Sequence, residues 1–361
     1  MSSSLPKLPT TILLLASLSF GALAEEEKKT ENPVAGEAIE AVTRLQIFLD
    51  KAEFAPGKID GRIGQFTLEA LALYRQAQGG AVTPTTPDPK VKVEKGDALP
   101  DLSDLDLTTA DPLFLTYEVS EEDLKQVGEL PSEIPEQAKL KALPYRSAAE
   151  AIAEKFHMDA GYLEELNPGK TKNIKAGDLL KVVNVVPFEK SAIDALKEKF
   201  AQDKDEADSN KNDDAEAKKE NDSKLIVHIN TEINMLTVFE NDKLVAAYPV
   251  TVGSGQTESP VGKWKVTKIS TMPNFRHDKS MLKEGVRSDD FHMLSPGPNN
   301  PVGVMWIQLS KDGIGIHGTN DPDTIGRASS HGCIRLANWD VVRFAEKIGL
   351  NVPVTIQAGP R

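Results

Sequence analysis

The sequence predicts a multidomain chain: a C-terminal mainly-β sandwich with one helix, preceded by a small α-helical unit and a small α+β unit. Three observations predict it. Residues 224–358 run as short alternating apolar and polar segments broken by turn residues. Residues 36–80 place apolar side chains at helical spacing on either side of a glycine-rich connector. Between the units lie stretches of linker composition, Pro, Thr, Asp and Lys over 81–107 and Lys, Asp, Glu, Ala and Asn over 189–223. A length of 361 residues suits two or three small domains.

The N-terminus reads as a secretory signal peptide over residues 1–24. Lys7 precedes an apolar run that continues through Phe20 to Leu23, and Ala22-Leu23-Ala24 forms a small-x-small cleavage signature before three glutamates. The chain is therefore expected to be exported to the periplasm, with no integral membrane span after cleavage. A net charge of −13 argues against nucleic acid as a partner, because phosphate binding needs clustered Lys and Arg.

In the helical unit, Ile39, Val42, Leu45, Phe48 and Leu49 recur at helical spacing. Turns are expected at Gly57, Gly61 and Gly64, and Thr67 is positioned to cap a second helix over 68–78, with Leu68, Leu71 and Tyr74 on one face. The run Leu45-Gln46, Gly57-Lys58-Ile59-Asp60-Gly61, Gly64, Thr67, Ala70-Leu71 and Tyr74-Arg75 resembles the small helical peptidoglycan-binding domain of cell-wall enzymes.

Residues 108–188 begin with a strand-like alternation, Phe114 to Val119. Ser147 opens a helix bearing Ala151, Ile152 and Phe156, and a second helix over 160–166 stops at Asn167-Pro168-Gly169. A Gly177-Asp178 turn then leads into a strand through Leu180 and Val182. This order resembles a degenerate lysin-motif (LysM) carbohydrate-binding unit with a poor leading strand and a single aromatic, Tyr162, where a sugar platform would sit. The linker over 189–223 is expected to be a charged flexible tether, with helix only around Ile193 to Phe200.

In the C-terminal segment, strands are expected at 225–229, 235–239, 244–250, 263–266, 305–309 and 352–356, and Asn338 is expected to cap the one helix, over 339–348. The long loop over 270–300 has the position of a lid, while His277 and His292 on it read as ordinary exposed loop histidines. His157 and His228 read as packing or surface residues.

The chemistry concentrates near the only cysteine of the chain, in Ser330-His331-Gly332-Cys333-Ile334-Arg335, just after Ile316-His317-Gly318-Thr319. A single thiol makes no intrachain disulfide, yet structural cysteines of exported proteins usually occur in pairs. A thiol with histidines nearby has the parts of a nucleophile with its base. A free thiol has a pKa near ~8.5, so a positioned imidazole is needed to take its proton. His331 lies two residues from Cys333, a poor local geometry, whereas His317 comes from another part of the chain and can face the thiol. His317 is therefore assigned as general base and acid, and His331 to orienting the loop and contacting substrate. Gly332 allows close approach of substrate, and amides of this loop suit an oxyanion. Arg335 suits an acidic group or a loop carbonyl, and Ser330 and Thr319 suit supporting hydrogen bonds. A zinc site from His317, His331 and Cys333 lacks the usual ligand spacing, and a redox thiol lacks a resolving cysteine. The polar neighbours of Cys333 argue against a merely buried one.

Residues 224–357 resemble the L,D-transpeptidase catalytic domain of the YkuD type. The resemblance is carried by Ser259-Pro260-Val261-Gly262-Lys263-Trp264, Pro301-Val302-Gly303, Ile316-His317-Gly318-Thr319 and Ser330-His331-Gly332-Cys333-Ile334-Arg335-Leu336. It implies a β-sandwich, Cys333 and His317 as the catalytic pair, and a substrate and oxyanion set of Ser330, His331, Gly332, Arg335, Gly318 and Thr319. It also implies peptidoglycan as partner, through its stem tetrapeptides and glycan strands, and cross-linking as the reaction, with no metal or other cofactor. A carboxypeptidase on the same scaffold and a non-catalytic wall-binding protein are the alternatives.

Overall fold

The computed structural model describes residues 33–80, 99–209, 224–253, 259–327 and 332–359. The expected signal peptide, most of the first linker, and Ser330 and His331 lie outside the described residues.

Helices α1 (Pro33–Lys51) and α2 (Gln65–Ala77) flank the glycine-rich connector. The buried Gln46 amide organises it, donating to Asp60 Oδ1 at 2.9 Å and the Arg62 carbonyl at 3.1 Å while accepting the Gly61 N–H at 2.9 Å. Thr67 does not cap α2. The helix begins at Gln65 with Gly64 at the cap, and the Thr67 hydroxyl is buried against Gln46 Nε2 at 3.3 Å.

The middle unit contains β1 (Phe114–Glu118), the short α3 (Glu121–Lys125) and α4 (Ile134–Gln137), then α5 (Ala148–Lys155), α6 (Ala160–Leu166) and β2 (Leu179–Val183). β1 and β2 pair antiparallel, with Phe114 opposite Val183. Ser147 caps α5, its hydroxyl accepting the Glu150 N–H at 3.1 Å. Tyr162 is not a sugar platform. It is 1% exposed and its hydroxyl lies 2.7 Å from that of Thr43 on α1, because the helical unit packs over the place where a sugar would stack.

The helix expected around Ile193 to Phe200 runs longer, as α7 (Lys190–Ser209), and is docked rather than part of a free tether. Ile193 and Leu196, one turn apart, are buried in the core of the C-terminal segment. Lys199 Nζ donates to the Glu346 and Ile348 carbonyls at 3.1 and 3.3 Å.

The C-terminal segment contributes β3 (Leu225–Asn230), β4 (Met235–Glu240), β5 (Lys243–Pro249), β6 (Gly262–Thr271), β7 (Phe275–Asp278), α8 (Lys279–Glu284), β8 (Phe291–Leu294), β9 (Met305–Leu309), β10 (Gly315–His317), β11 (Ile334–Arg335), α9 (Asn338–Lys347) and β12 (Pro353–Gln357). Instead of two separate sheets, eight strands form one curled sheet in the order β11-β10-β9-β6-β12-β3-β4-β5. The cause is β6, whose first half pairs with β12 and whose second half pairs with β9 across a register shift between Val266 and Lys268. Such a bulge bends a strand and increases its twist, so one strand serves both halves. α9 packs inside the curl through Val341, Phe344 and Ala345. The expected lid is an ordered hairpin of β7 and β8 in which His277 stands opposite His292.

The units are docked rather than strung on linkers. Phe48, Phe54 and Leu71 of the helical unit, Ile152 and Phe156 of the middle unit, and Met235, Phe239, Leu244 and Ala247 of β4 and β5 share one buried core. The backbone joins as well, Ala55 N–H donating to the Ala247 carbonyl at 2.8 Å and Ala247 N–H to the Glu53 carbonyl at 2.9 Å.

Candidate active site

Strands β10 and β11 pair in parallel, Ile316 opposite Ile334 and His317 opposite Arg335. Side chains alternate along a strand. Ile316 and Ile334, both 0% exposed, turn into the core, which leaves His317 and Arg335 on the other face. Cys333 immediately precedes β11 and falls level with Gly315. Its Sγ lies 3.7 Å from the Gly313 carbonyl and receives a backbone hydrogen bond at Gly315. Two segments 18 residues apart in the chain are thus laid side by side, with thiol, imidazole and guanidinium on one face.

His317 is buried, and its Nδ1 lies 2.6 Å from the Gly318 carbonyl. A carbonyl only accepts, so Nδ1 carries the hydrogen and Nε2 is left with its lone pair. The ring stacks on Trp306 of β9, its cross-strand partner, with centroids 5.4 Å apart and planes 19° from parallel. Burial lowers the imidazole pKa to about 4, with Arg335 adding to the effect and the Gly318 hydrogen bond opposing it. Burial pushes the Cys333 thiol up, opposed by the Gly315 hydrogen bond and by Arg335. The resting pair is therefore neutral thiol and neutral imidazole, with Nε2 the ring atom left to accept a proton.

Gly315 leaves space for the Trp306 indole, which a Cβ there would meet at 2.7 Å. Gly318 and Gly303 both press on the Asn338 amide, and a Cβ on either would overlap its Oδ1. Asn338 is not the cap of α9 but its first residue, after Ala337. Its side chain turns inward to accept the Val304 N–H at 3.2 Å, pinning the start of β9 to the end of β10. The Thr319 hydroxyl accepts the Asp321 N–H at 3.2 Å and so shapes the turn after His317. Gly332 has φ of +97°, a conformation open to glycine. Arg335 is tied through its backbone to Thr251, with N–H···O distances of 2.9 and 3.0 Å. Ser330 and His331 lie outside the described residues. Among the described residues, no group of three or more His, Cys, Asp or Glu side chains has the geometry of a metal site.

The loop that leads toward Cys333 is held by the other units. Lys58 of the helical connector pairs with Asp159 of the middle unit and with Asp323 of this loop. Phe66 lies directly against Gly326. Thr251 Oγ1 accepts the Gly326 N–H at 2.8 Å. Residues the sequence reading missed are Trp306, Asn338 and Phe66. The first gave only a strand signal, the second resembled a helix cap, and the third carried no periodic signal linking it to a loop 260 residues away.

A sequence model of the L,D-transpeptidase catalytic domain, YkuD, matches residues 224–356. YkuD of Bacillus licheniformis, named as a candidate L,D-transpeptidase, is 35% identical over 122 residues, 33% of this chain and 59% of its own length. YqjB of Bacillus subtilis, named likewise, is 31% identical over 135 residues, 36% of this chain and 69% of its own. The chain belongs to the L,D-transpeptidase (YkuD) family, and it spans about three-fifths of the length of the YkuD relative. Among solved structures, an L,D-transpeptidase from Mycobacterium smegmatis aligns over 38% of this chain and 59% of its own at 16% identity, with a TM-score of 0.31.

Proposed function

We propose that the chain is a peptidoglycan L,D-transpeptidase with Cys333 as nucleophile and His317 as its proton carrier. The observation that carries this reading is the parallel β10–β11 pairing, which lays the Cys333 segment beside an imidazole whose Nδ1 is already occupied. Cys333 Sγ attacks the carbonyl carbon of the third residue of a tetrapeptide stem, and its proton passes to His317 Nε2. The bond to the fourth residue, D-alanine, breaks, and His317 returns that proton to the departing amine. An amine of a neighbouring stem then attacks the thioester. Its proton goes to His317, the C–S electron pair returns to sulfur with that proton, and a 3→3 cross-link is formed. Loop amides beside Gly332 stabilise the oxyanion in both steps, and Arg335 holds an acidic group of the substrate.

Peptidoglycan lies outside the cytoplasmic membrane, and the leader reading of residues 1–24 supplies the export this function requires. Among the described residues, no helix is long and apolar enough to cross a membrane. The two N-terminal units act as wall-facing parts docked on the catalytic segment. Their influence comes from fixed orientation rather than from a flexible tether.

The test is mass spectrometry of the mature protein and its Cys333→Ala variant, each mixed with disaccharide-tetrapeptide. An acyl adduct lacking D-alanine on the parent protein alone, followed by cross-linked dimer, supports the proposal. An adduct that resolves only to tripeptide makes the chain a carboxypeptidase, and no adduct at all leaves a wall-binding protein.

A further inference from the structure

Asn338 is the joint beneath the catalytic pair of strands, and one of its partners comes from a different unit of the chain. The amide is 0% exposed, and both its oxygen and its nitrogen are hydrogen-bonded. Oδ1 accepts the Val304 N–H, while Nδ2 donates to the Pro298 carbonyl at 3.2 Å and to Glu154 Oε1 at 3.0 Å. Glu154 belongs to α5 of the middle unit, 184 residues earlier, and its Oε1 also accepts the Tyr145 hydroxyl at 2.9 Å. On the other side of Asn338 lie Gly303 and Gly318, in contact with its Oδ1. The Gly318 carbonyl holds His317 Nδ1, and Val304 leads into the strand that carries Trp306. A continuous path of buried contacts therefore runs from Glu154 through Asn338 and Gly318 to the imidazole.

We propose that Glu154 of the middle unit is a positioning residue of the active site, orienting Asn338 so that the Gly318 carbonyl keeps the hydrogen of His317 on Nδ1 and leaves Nε2 bare for the thiol. The unit is then a working part of the catalytic apparatus and not only a wall-binding accessory. The proposal rests on the reading of His317 as proton carrier, and its test includes signals that need no turnover.

The chemistry of the carboxyl suits this task. Burial raises its pKa to about 7, opposed by the hydrogen bonds from Asn338 and Tyr145, and Glu150 nearby raises it further. The neighbouring cavity, of about 330 Å³, is lined by Glu154 itself and by Lys58, Arg146, Glu150, Asp321 and Asp323 among its charged groups. A neutral carboxyl still offers Oε1 as acceptor to both donors, so the orientation survives loss of the charge. Glutamine keeps that oxygen, whereas alanine removes it and leaves the Asn338 and Tyr145 donors without their partner.

The experiment uses the full mature chain with Glu154→Ala and Glu154→Gln. It measures kcat and KM on disaccharide-tetrapeptide, the ¹⁵N resonances of the His317 ring, the rate of Cys333 alkylation by iodoacetamide, and Tm. For Glu154→Ala, kcat falls about 10- to 100-fold with KM little changed, as expected of a sub-ångström misplacement of a catalytic group. The ¹⁵N signals shift from the pure Nδ1–H tautomer toward a mixture and alkylation changes with them, while Glu154→Gln stays within about 3-fold of the parent protein. If the alanine variant does not fold, Glu154→Met fills the space without an acceptor and takes its place. A folded variant lacking the acceptor that keeps the parent's tautomer and alkylation rate overturns the proposal, as does a glutamine variant as damaged as alanine. If no variant, nor the parent, turns over muropeptide while the tautomer still follows residue 154, the reaction assignment fails and the positioning role stands.

Discussion

Trp306 and His317 face each other across β9 and β10 with their rings 5.4 Å apart and nearly parallel. The indole covers one side of the imidazole, and burial of this kind disfavours the imidazolium. The lowered pKa of about 4 means that His317 is neutral, and able to accept a proton, through the mildly acidic range. Replacing Trp306 with alanine admits water to the ring and lets that pKa rise toward its ordinary value. More of the base is then protonated at a given acidic pH, so the acid limb of kcat/KM moves upward by about one unit or more. A pH–rate profile of parent and variant checks this, and an unmoved acid limb would show that the indole is not what keeps the imidazole dry.

Arg335 lies close enough to act electrostatically on both His317 and Cys333, lowering the pKa of each. Its effect on the two groups is opposite in chemical value, since it favours the thiolate and disfavours the imidazolium. Arg335→Met therefore raises both pKa values. Alkylation of Cys333 by iodoacetamide should slow at neutral pH by about 3- to 10-fold, and its pH dependence should shift to higher pH. If alkylation instead accelerates, Arg335 acts by covering the thiol and not through its charge.

The helical unit is fastened to α9 by a buried charge cluster. Arg343 lies 2.9 Å from Asp50 Oδ1, 3.4 Å from Glu53 Oε2 and 3.6 Å from Asp340 Oδ1, and His157 Nδ1 lies 3.0 Å from Asp50. Burial alone would raise both aspartates. Arg343 and His157 outweigh it at Asp50, which is held well below the usual carboxylate range, whereas Asp340 is pushed up to about 8. Asp50 is thus the charged partner and Asp340 a neutral acid at pH 7. Arg343→Met leaves a buried carboxylate without its cation and should cost about 3–5 kcal/mol. Asp340→Asn keeps a neutral group of the same shape and should cost under about 1 kcal/mol. Urea unfolding of both variants measures the contrast, and equal losses would mean that Asp340 shares the charge.

The regular strands were legible because they depend on neighbours in sequence, and so was the position of the two site segments, though not the strand pairing that joins them. Alternation through Leu225 to Ile229 and Met235 to Phe239 reports a half-buried strand directly, and the His317 and Cys333 runs carry dense local chemistry. What could not be read depends on partners far away. Asn338 has the composition of a cap, but Val304, Pro298 and Glu154 claim its side chain. Tyr162 has the composition of a sugar platform, but Thr43 and α1 cover it. A helix around Ile193 to Phe200 was legible, but not its docking, because Ile193 and Leu196 alone among the described residues of this charge-rich segment are buried. The single curled sheet follows from a register shift inside β6, which leaves no mark in an alternating pattern.

The shared core makes a further demand on the catalytic segment. Met235, Phe239 and Leu244, on the outer face of β4 and β5, are buried in one core with Phe48, Phe54, Leu71 and their neighbours from the N-terminal units. Each large apolar side chain returned to water costs about 1.5–3 kcal/mol. Three of them amount to roughly 5–9 kcal/mol by the same scale, comparable with the whole stability of an ordinary domain at about 5–15 kcal/mol. Residues 224–361 expressed alone also lose Ile193 and Leu196 of α7 from their own core. That fragment should be insoluble or melt more than about 10 °C below the chain that begins at residue 33, and so show little activity even on soluble muropeptides. Restoring residues 33–209 in the same polypeptide should recover both solubility and turnover. Differential scanning calorimetry and muropeptide turnover on the two proteins decide the matter: a fragment as stable and as active as the longer chain would mean that the N-terminal units are detachable accessories after all.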